Sequence, residues 1–127
     1  MKTWKRWAAL AVAAAALPAL LTAGALDGTQ WQSVKKNGKP IKGEILRFES
    51  GQLTSEGCIP YGFTPSSYQE NAEGNALSWS ATQTNPKGEK MQWQGSSTGD
   101  KMEGTSVWTK ANGKSARPKK WMAKKIS

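Results

Sequence analysis

From Thr29 onward the chain shows no helical period; short alternating segments recur instead, each followed by a turn signal. The clearest is Ala76 to Gln83, where Leu77, Trp79 and Ala81 fall on one side and Ser78, Ser80 and Thr82 on the other. That is the period-2 pattern of a half-buried strand. Leu46 and Phe48 share one face of the segment Glu44 to Glu49, and Met91 and Trp93 share a face further on. Lys35-Lys36-Asn37-Gly38, Ser50-Gly51, Asn85-Pro86-Lys87-Gly88, Thr98-Gly99-Asp100 and Ala111-Asn112-Gly113-Lys114 separate these segments. Asn-Gly between apolar runs is a strong hairpin signal, because both residues tolerate positive φ.

Short turns between successive strands favour an antiparallel up-and-down meander. Left open, it would expose two edges, so the expected all-β fold is a small antiparallel barrel of about seven to eight strands. Gly57 to Gly74, GCIPYGFTPSSYQENAEG, breaks the pattern with its prolines and glycines. It reads as a long loop, residues 57–74, folded over one end of the barrel. Gly104, inside a strand, is expected where the barrel bends or another backbone comes close.

The first 25 residues differ in character. Lys2, Lys5 and Arg6 precede an apolar run from Ala8 to Leu21 broken only by Pro18, and Ala23-Gly24-Ala25 places small residues where a signal peptidase reads them. This is the pattern of a secretory signal peptide, residues 1–25, cleaved after Ala25. A retained anchor is the alternative, but the alanine-rich run falls short of the ~20 strongly apolar residues of a span. The expectation is therefore a single exported domain, residues 26–127, periplasmic or secreted, with no stable membrane span after processing.

Cys58 is the only cysteine, so an internal disulfide is excluded and stability must come from a packed core. Its thiol is expected to be buried, the alternative being an intermolecular bridge. The chain has no histidine, which removes the commonest general base and metal ligand and any Cys-His or Ser-His pair. Glu70 and Glu73 are conceivable acids but sit in the polar loop. No catalytic residue, metal site or cofactor is expected, and the protein is not expected to be an enzyme.

Without the basic residues of the signal, 15 Lys and Arg stand against nine acids, about +6. Lys110, Lys114, Arg117, Lys119, Lys120, Lys124 and Lys125 crowd the last 18 residues with no acid among them. Such a face could dock on an anionic envelope component or an acidic protein; a lysine-rich edge strand that resists pairing explains it equally. Export disfavours nucleic acid, and like charge disfavours the basic lysozymes as partners.

Gly28-Thr29-Gln30-Trp31, at the head of the first strand, resembles the Gly-x-Trp signature of the lipocalins and their calycin relatives. Here the spacing is one residue longer. The resemblance implies an antiparallel barrel that binds small apolar molecules, and a basic residue of the last strand, Lys124 or Lys120, lying across Trp31. The order of elements, with Cys58 and Tyr61-Gly62-Phe63 after the third strand and Gly99-Asp100 through Trp108 near the end, also resembles small exported bacterial proteins.

Trp31, Trp79, Trp93, Trp108 and Trp121 remain after processing, enough aromatic surface to form most of a small core. The functional alternative is that Trp79, Trp93 and Trp108, with Tyr61, Phe63 and Tyr68 of the loop, line a pocket for a small apolar or amphipathic ligand. A non-catalytic binding protein is the leading expectation, and an interaction protein using its basic C-terminal face is the second.

Overall fold

The computed structural model describes residues 24–127. Of the expected signal peptide, only Gly24 and Ala25 fall among the described residues. The strands are β1 (Thr29–Val34), β2 (Pro40–Glu49), β3 (Gln52–Ser55), β4 (Ser66–Glu73), β5 (Ala76–Thr84), β6 (Lys90–Thr98), β7 (Lys101–Thr109) and β8 (Lys119–Lys125). Each pairs antiparallel with its chain neighbour, and β8 returns to β1 with Ala123 opposite Ser33, closing an eight-stranded barrel. The meander is the expected one, and none of these eight strands is left as an edge.

The two ends differ in turn chemistry. At one end, β2–β3, β4–β5 and β6–β7 are joined by two-residue turns: Ser50-Gly51 with φ 54° and 75°, and turns opening on Gly74 (φ 60°) and Gly99 (φ 61°). Positive φ at these positions matches the twist of paired strands. At the other end three turns share one hydrogen-bond pattern, with Asn37, Asn85 and Asn112 side chains accepting from nearby backbone N–H groups. These mouth-end turns carry Lys35, Lys36, Lys39, Lys87, Lys110 and Lys114.

Register partners share a face, so the inward rows can be traced strand by strand. One row runs Glu70, Trp79, Gly95, Gly104, Trp121. A Cβ on Gly104 would overlap the Gln94 carbonyl oxygen and lie 2.7 Å from the Trp121 ring, and one on Gly95 would strike Trp79. Two glycines thus make room for two indoles, and Gly104 is the close approach expected from sequence. Phe48 meets Trp79 edge-on at 4.9 Å, and Trp121 lies 6.0 Å from Trp93. Side chains fill the waist, as an eight-stranded barrel allows. The outer wall is polar along Ser78, Ser80, Gln92 and Gln94, the reverse of a lipid-facing barrel.

Two expectations need correction. Residues 57–74 are not one long loop: Glu56–Tyr61 is a short 3-10 helix and residues 66–73 form β4. The strand is hard to see because Ser66 and Glu70 occupy inward positions where an alternating strand would show apolar residues. Nor does Lys120 or Lys124 lie across Trp31. Ala123 points inward, so Lys120 and Lys124, an odd number of residues away, point outward, whereas Trp31 is 2% exposed inside. The last-strand residue opposite Trp31 is Lys125, and the Trp31 Nε1–H donates to Thr29 Oγ1 at 2.8 Å.

Candidate functional site

Above the filled waist the barrel opens into a cup of about 410 Å³. Its floor is Leu46, Met91 and Trp93, inward residues of β2 and β6, the strands beneath the opening. Phe63 and Trp108 form an aromatic wall, their ring centroids 5.9 Å apart, and Tyr61 stands edge-on to Trp108 at 5.4 Å. Ser33, Ser55 and Ser106 bring hydroxyls to the interior, and Glu44, Arg117 and Lys119 stand at the rim.

The 3-10 helix positions the aromatic wall. Gly62 ends it at φ 89° and donates to the Ile59 carbonyl at 2.9 Å, which turns the chain so that Phe63 is buried while Tyr61 stays 58% exposed. Asn85 ties this corner to the β5–β6 turn, its Nδ2 donating to the Tyr61 carbonyl at 2.9 Å. The floor is equally fixed: Trp93 Nε1–H donates to Gln83 Oε1 at 2.8 Å, and Gln83 Nε2 donates to the Thr64 carbonyl at 3.0 Å. Gln83 is 1% exposed, so the Trp93 contact is made away from water and rigidifies the floor, while the Thr64 contact is part-buried.

Trp108 lines the cup with its ring, while its Nε1 is buried without a hydrogen-bond partner in the protein, as are those of Trp79 and Trp121. Cys58 lies in the wall, half-buried, which departs from the full burial expected. Burial pushes its thiol pKa up, a hydrogen bond with Ser55 lowers it, Glu44 raises it and Lys119 lowers it, with burial the largest influence. The thiol is therefore held protonated at neutral pH, a small hydrophobe and weak donor rather than a nucleophile.

The mouth brings together Trp93, Trp108, Tyr61 and Phe63 of the residues expected from sequence. It leaves out Trp79, which is 3% exposed at the waist, and Tyr68, which packs on Phe48 at 5.0 Å toward the opposite end. Leu46, Met91, Cys58, Arg117 and Lys119 complete the cup although sequence reasoning did not assign them to it. For the first two the signal was present, since each shares a face with an aromatic residue already assigned inward. Arg117 and Lys119 precede any readable alternation in β8 and gave none.

Ile59, 50% exposed, and Tyr61 form an apolar spot on the rim among the lysine-bearing turns. The opposite end carries Asp27, Glu49, Glu70, Glu73 and Asp100 beside Lys101, Lys124 and Lys125. The excess of cations therefore lies at the open end. A larger depression of about 770 Å³ along β7 and β8 has no aromatic lining, and two of about 560 Å³ touch a single tryptophan each, Trp79 or Trp121. Among known proteins, no family model, no curated sequence and no solved structure matches this chain.

Proposed function

We propose that the protein is an exported, non-catalytic binding protein that takes a small amphipathic molecule with an anionic head into the mouth of the barrel. The observation that carries this is the cup itself: an indole-floored cavity of about 410 Å³ with Arg117 and Lys119 at its rim. Its volume lies within the range of small-molecule sites, roughly 300 to 1,000 Å³, and its few polar groups converge on an apolar interior. The apolar body would lie on Trp93, Met91 and Leu46 between Phe63 and Trp108, with the head among the rim cations. The resemblance of Gly28-Thr29-Gln30-Trp31 to the signature of the lipocalins, barrels that bind small apolar molecules, supports the reading.

The test uses three probes with one tail: dodecanoate, dodecanol and dodecyltrimethylammonium, titrated against tryptophan fluorescence. Dodecanoate is expected to bind tightest, with a preference over dodecanol of about 2- to 10-fold that shrinks as salt rises. Arg117→Gln with Lys119→Gln should remove the preference while leaving tail binding, and Trp108→Ala should weaken all probes that bind. Equal affinity for the anionic and cationic probes would sink the assignment of the head group, and no response to any probe would sink the cup.

A second reading, docking of the mouth on an anionic surface, is favoured by Ile59 and Tyr61 standing exposed among mouth-end lysines. Apolar side chains flanked by cations suit an anionic lipid interface. Co-sedimentation with phosphatidylglycerol vesicles, lost on Ile59→Ser with Tyr61→Ser, would establish it; equal partition onto phosphatidylcholine would reject it.

A further inference from the structure

The closed end of the barrel is sealed by the segment that leads into β1, and the seal is made by main-chain nitrogens. Glu70 on β4 faces inward beside Trp79, its register partner. Its Oε2 accepts from the Ala25 N–H at 2.9 Å and its Oε1 from the Leu26 N–H at 3.0 Å. Leu26 is 1% exposed, and its carbonyl accepts from the Thr29 N–H at 3.1 Å, so the residue is fixed from both sides. A carboxylate aimed at two consecutive peptide groups meets only partial positive charge. The sequence at this point supplies a full one, because Ala23 and Ala25 are the small residues that place a signal-peptidase cut between Ala25 and Leu26.

We propose that the Ala25–Leu26 bond is the processing site of this chain and that Glu70 is the built receptor for the α-ammonium of Leu26 that the cut creates. The proposal rests on the export reading for the origin of the terminus, not on the cup. Hydrolysis breaks the Ala25 C–N bond: the oxygen of water joins the Ala25 carbonyl carbon, one hydrogen goes to the Leu26 nitrogen, and the proton of the new acid passes through solvent to that amine. The Ala25 carboxylate leaves with the signal and the Leu26 ammonium remains. Both oxygens of Glu70 then face one cation, a charge-assisted pair stronger than the peptide contacts it replaces.

The geometry also orders events. In the folded precursor the Asp27 N–H donates to the Gly24 carbonyl at 3.1 Å, holding the scissile bond in a turn with Leu26 buried. A protease that needs an extended segment must cut before this end closes, so export and cleavage precede the seal. Asp27, Tyr68, Glu49, Glu73, Asp100, Lys101, Lys124 and Lys125 are the other charged or titratable groups at this end. The first two already contact each other at 3.2 Å, leaving Glu70 as the acid at the Leu26 nitrogen.

Three measurements test this. N-terminal sequencing of the chain exported from a bacterial host should read Leu26 first; any other terminus overturns the processing site. In protein released from a fusion to begin at Leu26, NMR titration should place the α-amino pKa at least about half a unit above its ordinary 7.7–8.0. Glu70→Gln should return it to that range. The stabilising contribution should then be full below pH 8 and fade as pH rises through the raised value. Against a version with methionine preceding Leu26, whose ammonium is displaced, Glu70→Gln should lower the folding equilibrium constant at least about 3-fold more in the Leu26-first form. A Leu26 amine that titrates in its ordinary range in the native protein overturns the receptor, and this readout stands even if Glu70→Gln fails to fold. None of these measurements involves the mouth, so failure here leaves the ligand reading untouched, and the reverse holds too.

Discussion

Asp27→Ala removes the carboxylate that ties the closed end together. Asp27 Oδ1 accepts from the Gly51 N–H at 2.8 Å and the Tyr68 hydroxyl at 3.2 Å, and Oδ2 accepts from the Ser50 N–H at 3.2 Å. Ser50 has φ 54°, the left-handed region, which costs a residue with a Cβ about 1 kcal/mol or more. The carboxylate therefore holds in place a strained turn that would otherwise relax. The two backbone contacts are exposed and water replaces them in part, so each is worth about 0.5–1 kcal/mol; the half-buried Tyr68 contact adds about 1. The expected loss for Asp27→Ala is about 2–3 kcal/mol, or roughly 10–20 °C in Tm for a domain of this size. Asp27→Asn keeps an acceptor oxygen and should lose less than half of that. Urea unfolding followed by tryptophan emission at pH 7 reads both. A loss below about 0.5 kcal/mol in Asp27→Ala would refute the idea that this side chain ties the end.

The same substitution has a signature that simple loss of packing would not produce. Burial pushes the Tyr68 phenol up, and the charge of Asp27 and its hydrogen bond push it further in the same direction. The folded pKa then exceeds the unfolded value of about 10, so this contribution to stability is full below pH 10. Above that it declines, because the unfolded chain releases the proton first. With Tyr61→Phe leaving one phenol, Asp27→Ala should move the tyrosinate absorbance midpoint downward. A midpoint that does not move contradicts the contact.

Other expectations follow from single positions. Gly104→Ala should cost about 1–3 kcal/mol in thermal or chemical unfolding, because the added methyl overlaps the backbone carbonyl of Gln94, which has no rotamer to yield. Gln83→Leu strands the buried Trp93 Nε1–H, while the carbonyl of exposed Thr64 can turn to water. A loss of about 1–3 kcal/mol in urea is expected, and a neutral outcome would mean that the floor network adds nothing. Cys58 should react with iodoacetamide at pH 8 more slowly than a free thiol, since burial disfavours its thiolate. Bound dodecanoate should slow the reaction further, and equal rates with and without it would place the ligand outside the cup.

The sequence was informative where one face of a strand is apolar and the other polar. Leu77-Ser78-Trp79-Ser80-Ala81 could be oriented on sight, and so could Leu46 and Phe48: Leu77, Trp79, Ala81, Leu46 and Phe48 point inward and the two serines outward. It was uninformative where a local requirement displaces that alternation. Glu70 occupies an inward position because it receives the entry segment, and that substitution hides β4 among turn-forming residues. Trp121-Met122-Ala123 sets three apolar residues in a row, so neither parity of β8 is favoured and the lysines on either side could face either way. Only pairing with β1 and β7 resolves it, which is why Lys120 and Lys124 were matched to Trp31 by family likeness and were misplaced. The cup depends on the helix at Glu56–Tyr61 folding back over the opening; the prolines and glycines there signalled a segment over one end of the barrel but neither its helix nor the strand that follows.

Closure of the barrel changes what the basic residues mean. Lysines on an open edge strand are explained by the need to repel a second sheet, but β8 is paired on both sides, so there is no edge for them to protect. Nor do they serve as structural partners: among the described residues the ion pair formed is Arg47 with Glu56, at 3.3 Å. The acids at the closed end have local structural work, Asp27 on the Ser50-Gly51 turn and Glu70 on the entry segment. Part of the polarity between the two ends therefore arises from how the barrel is sealed and requires no partner. What folding leaves unexplained is the cation-rich mouth, where like charges on Arg117, Lys119 and the flanking turns repel one another at a cost to stability. An anion seated at the rim would relieve that repulsion, so occupancy of the cup should raise Tm most at low salt, and least once added salt already screens the lysines.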